Sequence, residues 1–302
     1  MNLSAAFIAA FAAIYTQGSI PKWFTILLWC LSDINLVLFL LSKIWLQQKE
    51  RKTMSKILSE QIIDWIREYF KTTNGRKAVI GISGGKDSTV AAALCVKALG
   101  KENVIGVMMP NGVQSDIEDS EKIIKHLGID SFVVNINYAY LNLVNQINEH
   151  HITSQAQINM PPRLRMTVLY GVAQNIGGRV VNTCNRSENC LSWATLYGDS
   201  VGDFAPFDLL TTEEIVAIGD ELGLPYELVH KTPSDGLCGK TDEDSFGFTY
   251  NEVNQLIRKD VKGEHFNEII KMYNGGKFKL EMIRIPHFDP KLHDYFLEKY
   301  NY

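Results

Sequence analysis

The chain has 302 residues, of which 46% are hydrophobic and 21% are charged. These proportions are those of a globular protein, so they exclude a disordered or fibrous chain, and the length allows one or two domains. A net charge of −4 argues against nucleic acid as the main partner. The five cysteines include no C-x-x-C pair, which indicates free thiols in a reducing, cytoplasmic compartment.

The first 53 residues differ from the rest because two apolar runs, residues 4–15 and 24–46, dominate them. The second run is long enough to span a bilayer, although Asp33 near its middle would be costly there. Three interpretations stay open: a membrane anchor, an upstream extension before a true start at Met54, or a soluble helical appendage. We therefore expect a separate extension over residues 1–53 and one main domain over residues 54–302, which lies in the cytosol even if the extension is an anchor.

From Met54 onward, helical and strand patterns alternate. The first is an amphipathic helix whose apolar face carries Ile57, Ile62, Ile63, Ile66 and Phe70. The predicted strands are residues 77–83, 103–109, 131–136 and 179–183. The predicted helices between them are residues 88–99, 115–127, 138–151 and 163–176. After the last strand, one helix starts at 211, and two more span residues 250–259 and 265–273. This alternation predicts an α/β fold with a doubly wound, mainly parallel sheet and helices on both faces.

The segment Ile82–Thr89, ISGGKDST, joins the first predicted strand to the helix that follows it. The paired glycines Gly84 and Gly85 let backbone N–H groups approach an anion, and the helix start adds its own unpaired N–H groups. A Walker A loop needs G-x-x-x-x-G-K-[ST], which this segment does not match because Asp87 follows Lys86. The segment therefore predicts a phosphate-binding loop of another kind, at the carboxyl end of a parallel strand.

Ser83, Gly84, Gly85, Asp87 and Ser88 form a string that resembles the SGGxDS signature of the PP-loop ATP pyrophosphatases, which cleave ATP between its α- and β-phosphates. Further motifs follow in the chain, namely MMPNGVQSD (108–116), NMPPRLRM (159–166), NTCNRSE (182–188), YGD (197–199), TPSDGL (232–237) and KTDED (240–244). Together with ISGGKDST, they resemble the NAD synthetase family. The resemblance implies the PP-loop, adenine-nucleotide alpha-hydrolase-like fold and a homodimer.

Members of that family amidate nicotinic acid adenine dinucleotide (deamido-NAD) with ammonia, and they use ATP and Mg²⁺. The resemblance implies two steps: the substrate carboxylate attacks the α-phosphate to give an adenylate and pyrophosphate, and ammonia then displaces AMP to give NAD. Glutamine-using relatives carry an amidase domain, for which residues 1–53 are too short. We therefore expect ammonia to be used free or to be passed on by a separate partner.

The resemblance also implies the residues that hold ATP. Asp87 and Glu188 would bind Mg²⁺, since a hard cation prefers carboxylate oxygens and phosphates. For Lys86, a charge that is only solvated is the alternative to a contact with pyrophosphate. The full set implied to bind ATP is Gly81, Ser83, Gly84, Gly85, Lys86, Asp87, Ser88, Thr183 and Ser234.

On the substrate side, the resemblance implies that Arg163 and Asp203 bind deamido-NAD. A guanidinium fork suits the phosphates or the carboxylate of a dinucleotide. Asp199, in YGD, is a candidate to bind or deprotonate the incoming ammonium, and capping of a loop is its alternative role. The acidic residues of the late motifs, Asp235 and Asp242 among them, predict a lid that excludes water from the adenylate.

Three positions depart from the family pattern. Thr212, Leu196 and Met282 stand where many members carry a lysine. Candidates to replace the missing charge are Lys231, Lys240, Lys277 and Lys279. These departures keep two alternatives open: a paralogous PP-loop ligase that amidates another carboxylate, and a nucleotide-binding module without catalysis.

Overall fold

A computed structural model gives the fold, and it describes residues 22–114, 116–148, 152–233, 241–282 and 285–300. The chain divides into two compact units, Met1–Thr53 and Met54–Tyr302. In the first unit the described residues are helical, and apolar side chains such as Leu38 and Trp45 are more than half exposed. The predicted apolar run at residues 4–15 lies outside the described residues. Within the described ranges, no helix is long and apolar enough to cross a membrane.

The elements follow one another in a regular alternation up to the fourth strand. The strands are β1 (Ala78–Gly81), β2 (Val104–Met108), β3 (Asp130–Val133) and β4 (Arg179–Val180). The helices are α1 (Lys22–Thr73), α2 (Lys86–Leu99), α3 (Ile117–Leu127), α4 (Asn137–Asn148), α5 (Ser154–Ile176), α6 (Arg186–Leu191), α7 (Thr212–Glu221), α8 (Tyr226–Val229), α9 (Asp242–Phe246), α10 (Tyr250–Lys259), α11 (Phe266–Met282) and α12 (Tyr295–Tyr300).

The four strands form one sheet in the order β3-β2-β1-β4, and every neighbouring pair is parallel. The chain leaves β1 towards β2 on one side and returns through β4 on the other side. β1 and β4 therefore flank the point where the winding direction reverses, and such sheets bind ligands outside the strand ends at that point. The segments that follow β1 and β4 are ISGGKDST and NTCNRSE, so the topology brings these two motifs to one place.

Helices cover both faces of this sheet, which confirms the predicted doubly wound fold. On one face, Val79 and Val107 pack with Leu169 and Ala173 of α5. On the other face, β1 and β2 pack with α1, α2, α3 and α7 through a larger apolar cluster. The members of that cluster from α1 are Leu58, Ile62, Ile63, Ile66 and Phe70. Ile57 was predicted to share this face but is 43% exposed, because Leu58 takes the inward position.

Several predicted boundaries are wrong. The predicted strands run past the observed ends, most of all in β4, where only a single bridge between Val181 and Phe204 continues the pairing. The helix predicted from residue 163 begins at Ser154 instead, after a cap in which the Thr153 side chain accepts a hydrogen bond from the Ala156 N–H. Two prolines lie inside this helix, and sequence reasoning took them for its start because proline disfavours helix interiors.

The largest correction concerns α11, which was predicted to end at Tyr273. The helix continues through Gly275 and Gly276 to Met282. Gly276 is a point of close approach rather than a stop, because a Cβ built there would lie 2.1 Å from the Cβ of Ser192. Tertiary packing therefore overrides the helix-breaking tendency of the glycine pair.

A substitution pair tests this packing. Gly276→Ala should lower the free energy of unfolding by about 1–3 kcal/mol or more, because the added methyl group forces α11 away from Ser192. Gly275→Ala is the matched control, since nothing lies within 4 Å of its added Cβ, and it should stabilise the helix by up to about 1 kcal/mol. Thermal unfolding of the full chain measures both. Equal stability of the two variants would contradict the close contact.

Candidate active site

The loop between β1 and α2 has the shape of an anion cradle. Gly84 has φ of +75°, and a Cβ at this position would lie 2.6 Å from the Cβ of Asp119, so both conformation and space require glycine. The Ser88 Oγ accepts a hydrogen bond from the Ser83 N–H at 3.3 Å and donates one to the Gly85 carbonyl at 3.1 Å. Because Gly85 is the N-cap of α2 and has no side chain, the N–H groups of the first turn stay available to an anion.

A second helix begins beside this loop, in a segment that the sequence did not predict to be helical. α6 follows β4, and its N-cap Asn185 forms a reciprocal capping box with Glu188. The Glu188 N–H donates to Asn185 Oδ1 at 3.0 Å, and the Asn185 N–H donates to Glu188 Oε2 at 3.1 Å. The Asn185 amide also donates to Asp87 Oδ1 at 3.3 Å. Asn185, which sequence reasoning missed, therefore joins the two predicted metal ligands, and its place as the N-cap before Glu188 was the available signal.

Lys86 completes this acidic group from the first position of α2. Its side chain is only 6% exposed, and Nζ lies 2.8 Å from Asp87 Oδ2, so the alternative of a solvated charge is wrong. Burial by itself would lower the pKa of Lys86, but Asp87 and Glu188 raise it above its usual value. For Glu188, burial and then repulsion by Asp87 raise the pKa of the carboxyl group.

The acidic pair suits one kind of metal ion. No cluster of three or more acidic, histidine or cysteine side chains with metal-binding geometry occurs in the part of the chain that the structure describes. Mg²⁺ is commonly bound through one or two carboxylates, with substrate phosphates and water as its other ligands. Asp87 and Glu188, joined by Asn185 beside a phosphate-type loop, fit an ion that is bound in this way.

A third acidic residue, Asp242, is buried near this group. It was predicted to belong to a lid, but it opens α9 and is only 4% exposed. Its carboxylate accepts hydrogen bonds from the Trp193 indole at 3.1 Å and the Tyr250 hydroxyl at 3.0 Å. The Tyr250 ring lies 5.9 Å from Lys86 Nζ. Asp242 thus holds the Trp193 and Tyr250 side chains in place beside the site.

Arg163 lies at a different surface, on α5. It lines a cavity of 580 Å³ with Tyr170 and Tyr197, and its Nε donates to the Leu196 carbonyl at 3.1 Å. Asp203 anchors β4 by accepting a hydrogen bond from the Val180 N–H at 2.7 Å. Burial, and after it the charge of Asp203, raise the pKa of Tyr170 to about 12. Tyr170 thus lines the same cavity as Arg163, and its pKa responds to the charge of Asp203.

A second cavity, of 370 Å³, carries the candidate replacement charges. Lys277 and Lys279 of α11 line it, with Asp208 and His287 as further ionisable side chains. The other lining residues are Asn182, Cys184, Asn189, Ser192, Ala194, Ser200, Leu280, Glu281 and Ile285. Lys279 Nζ donates to the Ser192 and Ala194 carbonyls, at 3.0 Å each. Lys231 does not line this cavity. Its Nζ forms ion pairs with Asp116, which directly precedes α3, and with Asp119 in the first turn of α3.

The remaining predicted residues have less specific surroundings. Asp199 is an exposed residue, and its Oδ1 accepts a hydrogen bond from the Thr195 N–H at 2.7 Å, as the alternative role of loop capping predicts. Gly81 ends β1 and packs beneath Met109 rather than towards the loop. Thr183 is partly buried, two residues before the α6 cap. Ser234, with Asp235 and Lys240, lies outside the described residues.

The sequence model of NAD synthase matches residues 58–283, which is most of the chain. The chain belongs to the NAD synthase family. Among curated relatives, the NH(3)-dependent NAD(+) synthetase of Finegoldia magna is 37% identical over 234 residues, which are 77% of this chain and 96% of that protein.

Two solved structures extend the likeness to three dimensions. NMN synthetase from Francisella tularensis is 30% identical with a TM-score of 0.71, over 78% of this chain and 99% of that one. The NH3-dependent NAD synthetase from Campylobacter jejuni, in complex with the nitrate ion, is 26% identical with a TM-score of 0.63, over 76% of this chain and 98% of that one. The PP-loop α/β fold of the NAD synthase family is therefore shared over the domain.

The role of Asn185 as a spacer between two carboxylates can be tested with two substitutions that both keep an N-cap. Asn185→Ser should retain most of the stability, because serine is as good an N-cap as asparagine. Asn185→Asp should be less stable than Asn185→Ser by about 1 kcal/mol or more without metal, because a third carboxylate then faces Asp87 and Glu188. Chemical unfolding in EDTA measures the difference. Equal stabilities would show that Asn185 does not separate the two charges.

Proposed function

We propose that this chain is an ammonia-dependent NAD synthetase, which uses ATP to convert deamido-NAD and ammonia into NAD, AMP and pyrophosphate. The observation that carries the proposal is the meeting of Asp87 and Glu188 through Asn185, where β1 and β4 end and the anion-binding loop begins. Membership of the NAD synthase family supports it, as does the similarity to the NH(3)-dependent NAD(+) synthetase of Finegoldia magna and the NH3-dependent NAD synthetase of Campylobacter jejuni.

The loop and the two helix starts determine how ATP is used. Ser83, Gly84, Gly85 and Ser88 hold the β- and γ-phosphates, so that the α-phosphate faces the substrate carboxylate. A carboxylate oxygen attacks the α-phosphorus, the bond to the bridging oxygen of the β-phosphate breaks, and pyrophosphate leaves. The protein contributes positioning and charge neutralisation rather than a covalent intermediate of its own.

Asp87 and Glu188 are the residues that would hold Mg²⁺. When bound, such an ion neutralises charge that develops on the departing pyrophosphate. Asn185 keeps Asp87 in place, and Lys86 adds a positive charge at the same edge of the loop. Gly81 and Thr183 belong to the ATP site in this proposal as parts of the two strand ends, and Ser234 belongs to it through the family resemblance.

The second step needs a nitrogen nucleophile without its extra proton. We assign the acceptance of that proton from ammonium to Asp199, whose Oδ1 accepts a hydrogen bond from the Thr195 N–H. Its backbone carbonyl accepts hydrogen bonds from the Asn182 and Cys184 side chains at the second cavity. Ammonia then attacks the carbonyl carbon of the adenylate, and AMP leaves with the oxygen that joined it to the substrate. The proton that the new amide nitrogen loses passes to the phosphate of the departing AMP. Arg163 holds the anionic remainder of deamido-NAD at the cavity that it lines with Tyr170, and Asp203 positions that side by anchoring β4 at the Val180 N–H.

The direct test incubates the full chain with ATP, Mg²⁺, ammonium and deamido-NAD. Chromatography should detect NAD, AMP and pyrophosphate in equal amounts. If the folded protein binds ATP but forms no NAD, the proposal fails.

A second candidate is amidation of the corresponding mononucleotide. Its support is the NMN synthetase from Francisella tularensis, which is similar over 78% of this chain. The same assay with nicotinic acid mononucleotide as substrate distinguishes the two candidates. A higher kcat/KM for the mononucleotide would make it the preferred substrate, and a higher value for deamido-NAD would support the first proposal.

Removal of the Asp87 carboxylate should separate nucleotide chemistry from folding. Asp87→Asn should lower the rate of pyrophosphate release about 100-fold or more, because one of two metal-binding carboxylates is lost. Asp130→Asn, at an exposed position of β3, is the matched control and should keep wild-type rates. Pyrophosphate is measured with a coupled phosphate assay. A fully active Asp87→Asn variant would contradict the assignment of the metal site.

We also propose that Lys279 supplies a substrate-side charge in place of the missing lysines. Burial lowers the pKa of Lys279, and the Asp199 carboxylate raises it. The Lys279 ammonium donates to the Ala194 carbonyl, and the N–H of the next residue, Thr195, donates to the Asp199 carboxylate. Lys279→Gln keeps a donor for the Ser192 carbonyl but loses the charge, and it should raise the KM for substrate about tenfold. Lys271→Gln, exposed on the same helix, should leave the KM unchanged. An unchanged KM in Lys279→Gln would exclude this role.

Residues 54–302 form the catalytic domain in this proposal, and it acts in the cytosol as a homodimer. The open cavity beside Arg163 supports the dimer, because a second subunit could cover the anionic ligand there.

A further inference from the structure

The Lys86 ammonium is a positive charge in direct contact with Asp87, one of the two carboxylates, Asp87 and Glu188, that are assigned to the metal site. Its Nζ lies 2.8 Å from Asp87 Oδ2, and the two side chains are only 6% and 17% exposed. The other oxygen of Asp87 already accepts a hydrogen bond from Asn185. Both carboxylate oxygens of Asp87 are therefore engaged by groups of the protein itself.

The groups around the Lys86 ammonium come from several elements. Asp87 adjoins it on α2, Glu188 lies on α6 and is linked to Asp87 through Asn185, and the Tyr250 ring faces the ammonium from the start of α10. Asp242 holds the Tyr250 hydroxyl from the far side. The ammonium thus sits between acidic side chains and an aromatic face, both of which favour a positive charge.

We propose that Lys86 is a built-in counter-ion of the metal site, so that a divalent cation enters only together with the triphosphate of the nucleotide. This inference rests on the proposed function. A divalent ion alone would have to share the Asp87 carboxylate with the Lys86 ammonium, whose Nζ lies 2.8 Å from Oδ2, and two positive charges on one carboxylate repel each other. The nucleotide brings enough negative charge to accept both, with Lys86 turning from Asp87 to a phosphate oxygen.

The position and chemistry of Lys86 suit this exchange. It lies in the first turn of α2, directly after Gly85, so its side chain starts beside the loop that receives the phosphates. Lysine is a compact point charge on a flexible stem, and it can change partners by rotation about its own bonds. An arginine fork would be tied to the carboxylate by paired hydrogen bonds.

The test measures binding of Mn²⁺ by electron paramagnetic resonance, with α,β-methylene ATP as the uncleavable nucleotide. Wild-type protein should bind Mn²⁺ weakly alone and much more tightly with the nucleotide. Lys86→Gln and Lys86→Met should bind Mn²⁺ alone about tenfold or more tighter than wild type, since the competing charge is gone. Lys97→Gln, exposed near the end of the same helix, should behave as wild type.

The shift of the unfolding temperature on addition of metal is a second readout, and it can be measured even for a variant that is less stable than wild type. Thermal unfolding of Lys86→Gln should shift upward on addition of Mg²⁺ without nucleotide, whereas wild type should not shift. Equal Mn²⁺ affinity of wild type and both Lys86 variants, or a wild-type affinity that nucleotide does not change, would overturn the inference. Because these measurements need no turnover, an absence of NAD formation would count against the proposed function and not against the counter-ion.

Discussion

The structure depends on one contact between two helix starts, in which Asn185 at the start of α6 joins Glu188 to Asp87 at the start of α2. Two carboxylates near each other in a partly buried position repel, and a protein keeps such a pair only if neighbouring groups compensate it. Here the Asn185 amide and the Lys86 ammonium do so. The parallel sheet makes the contact possible, because β1 and β4 are neighbours although about a hundred residues separate their motifs.

The position of α6 is determined from its other side. Its Arg186 forms a buried ion pair with Asp294 at 2.8 Å, and Leu191 packs into an apolar cluster formed with α10, α11 and α12. The close approach of Gly276 to Ser192 fixes the end of the same helix. The C-terminal part of the domain therefore acts as a support that holds Glu188 against the phosphate loop, and α11 brings Lys279 to the adjoining cavity.

The sequence predicted the sheet and the loop well because both follow from local patterns. Apolar runs with intervening helical periods are sufficient for a parallel sheet, and the glycine string after β1 requires a phosphate-type turn. Asn185, the burial of Asp242 and the course of α11 were not predictable in this way, because each depends on a tertiary partner. Gly276 is the clearest example of such a tertiary effect. Glycine locally favours the end of a helix, and the helix continues here because the close approach to Ser192 leaves no room for a side chain.

The central claim is that this site directs a carboxylate onto the α-phosphate of ATP. The most direct measurement uses deamido-NAD labelled with ¹⁸O in its carboxylate, followed by mass spectrometry of the products. The account predicts one labelled oxygen in AMP and none in pyrophosphate, because the attacking oxygen stays with the α-phosphate when ammonia forms the amide. Label in inorganic phosphate or pyrophosphate, or unlabelled AMP accompanying labelled water, would contradict it.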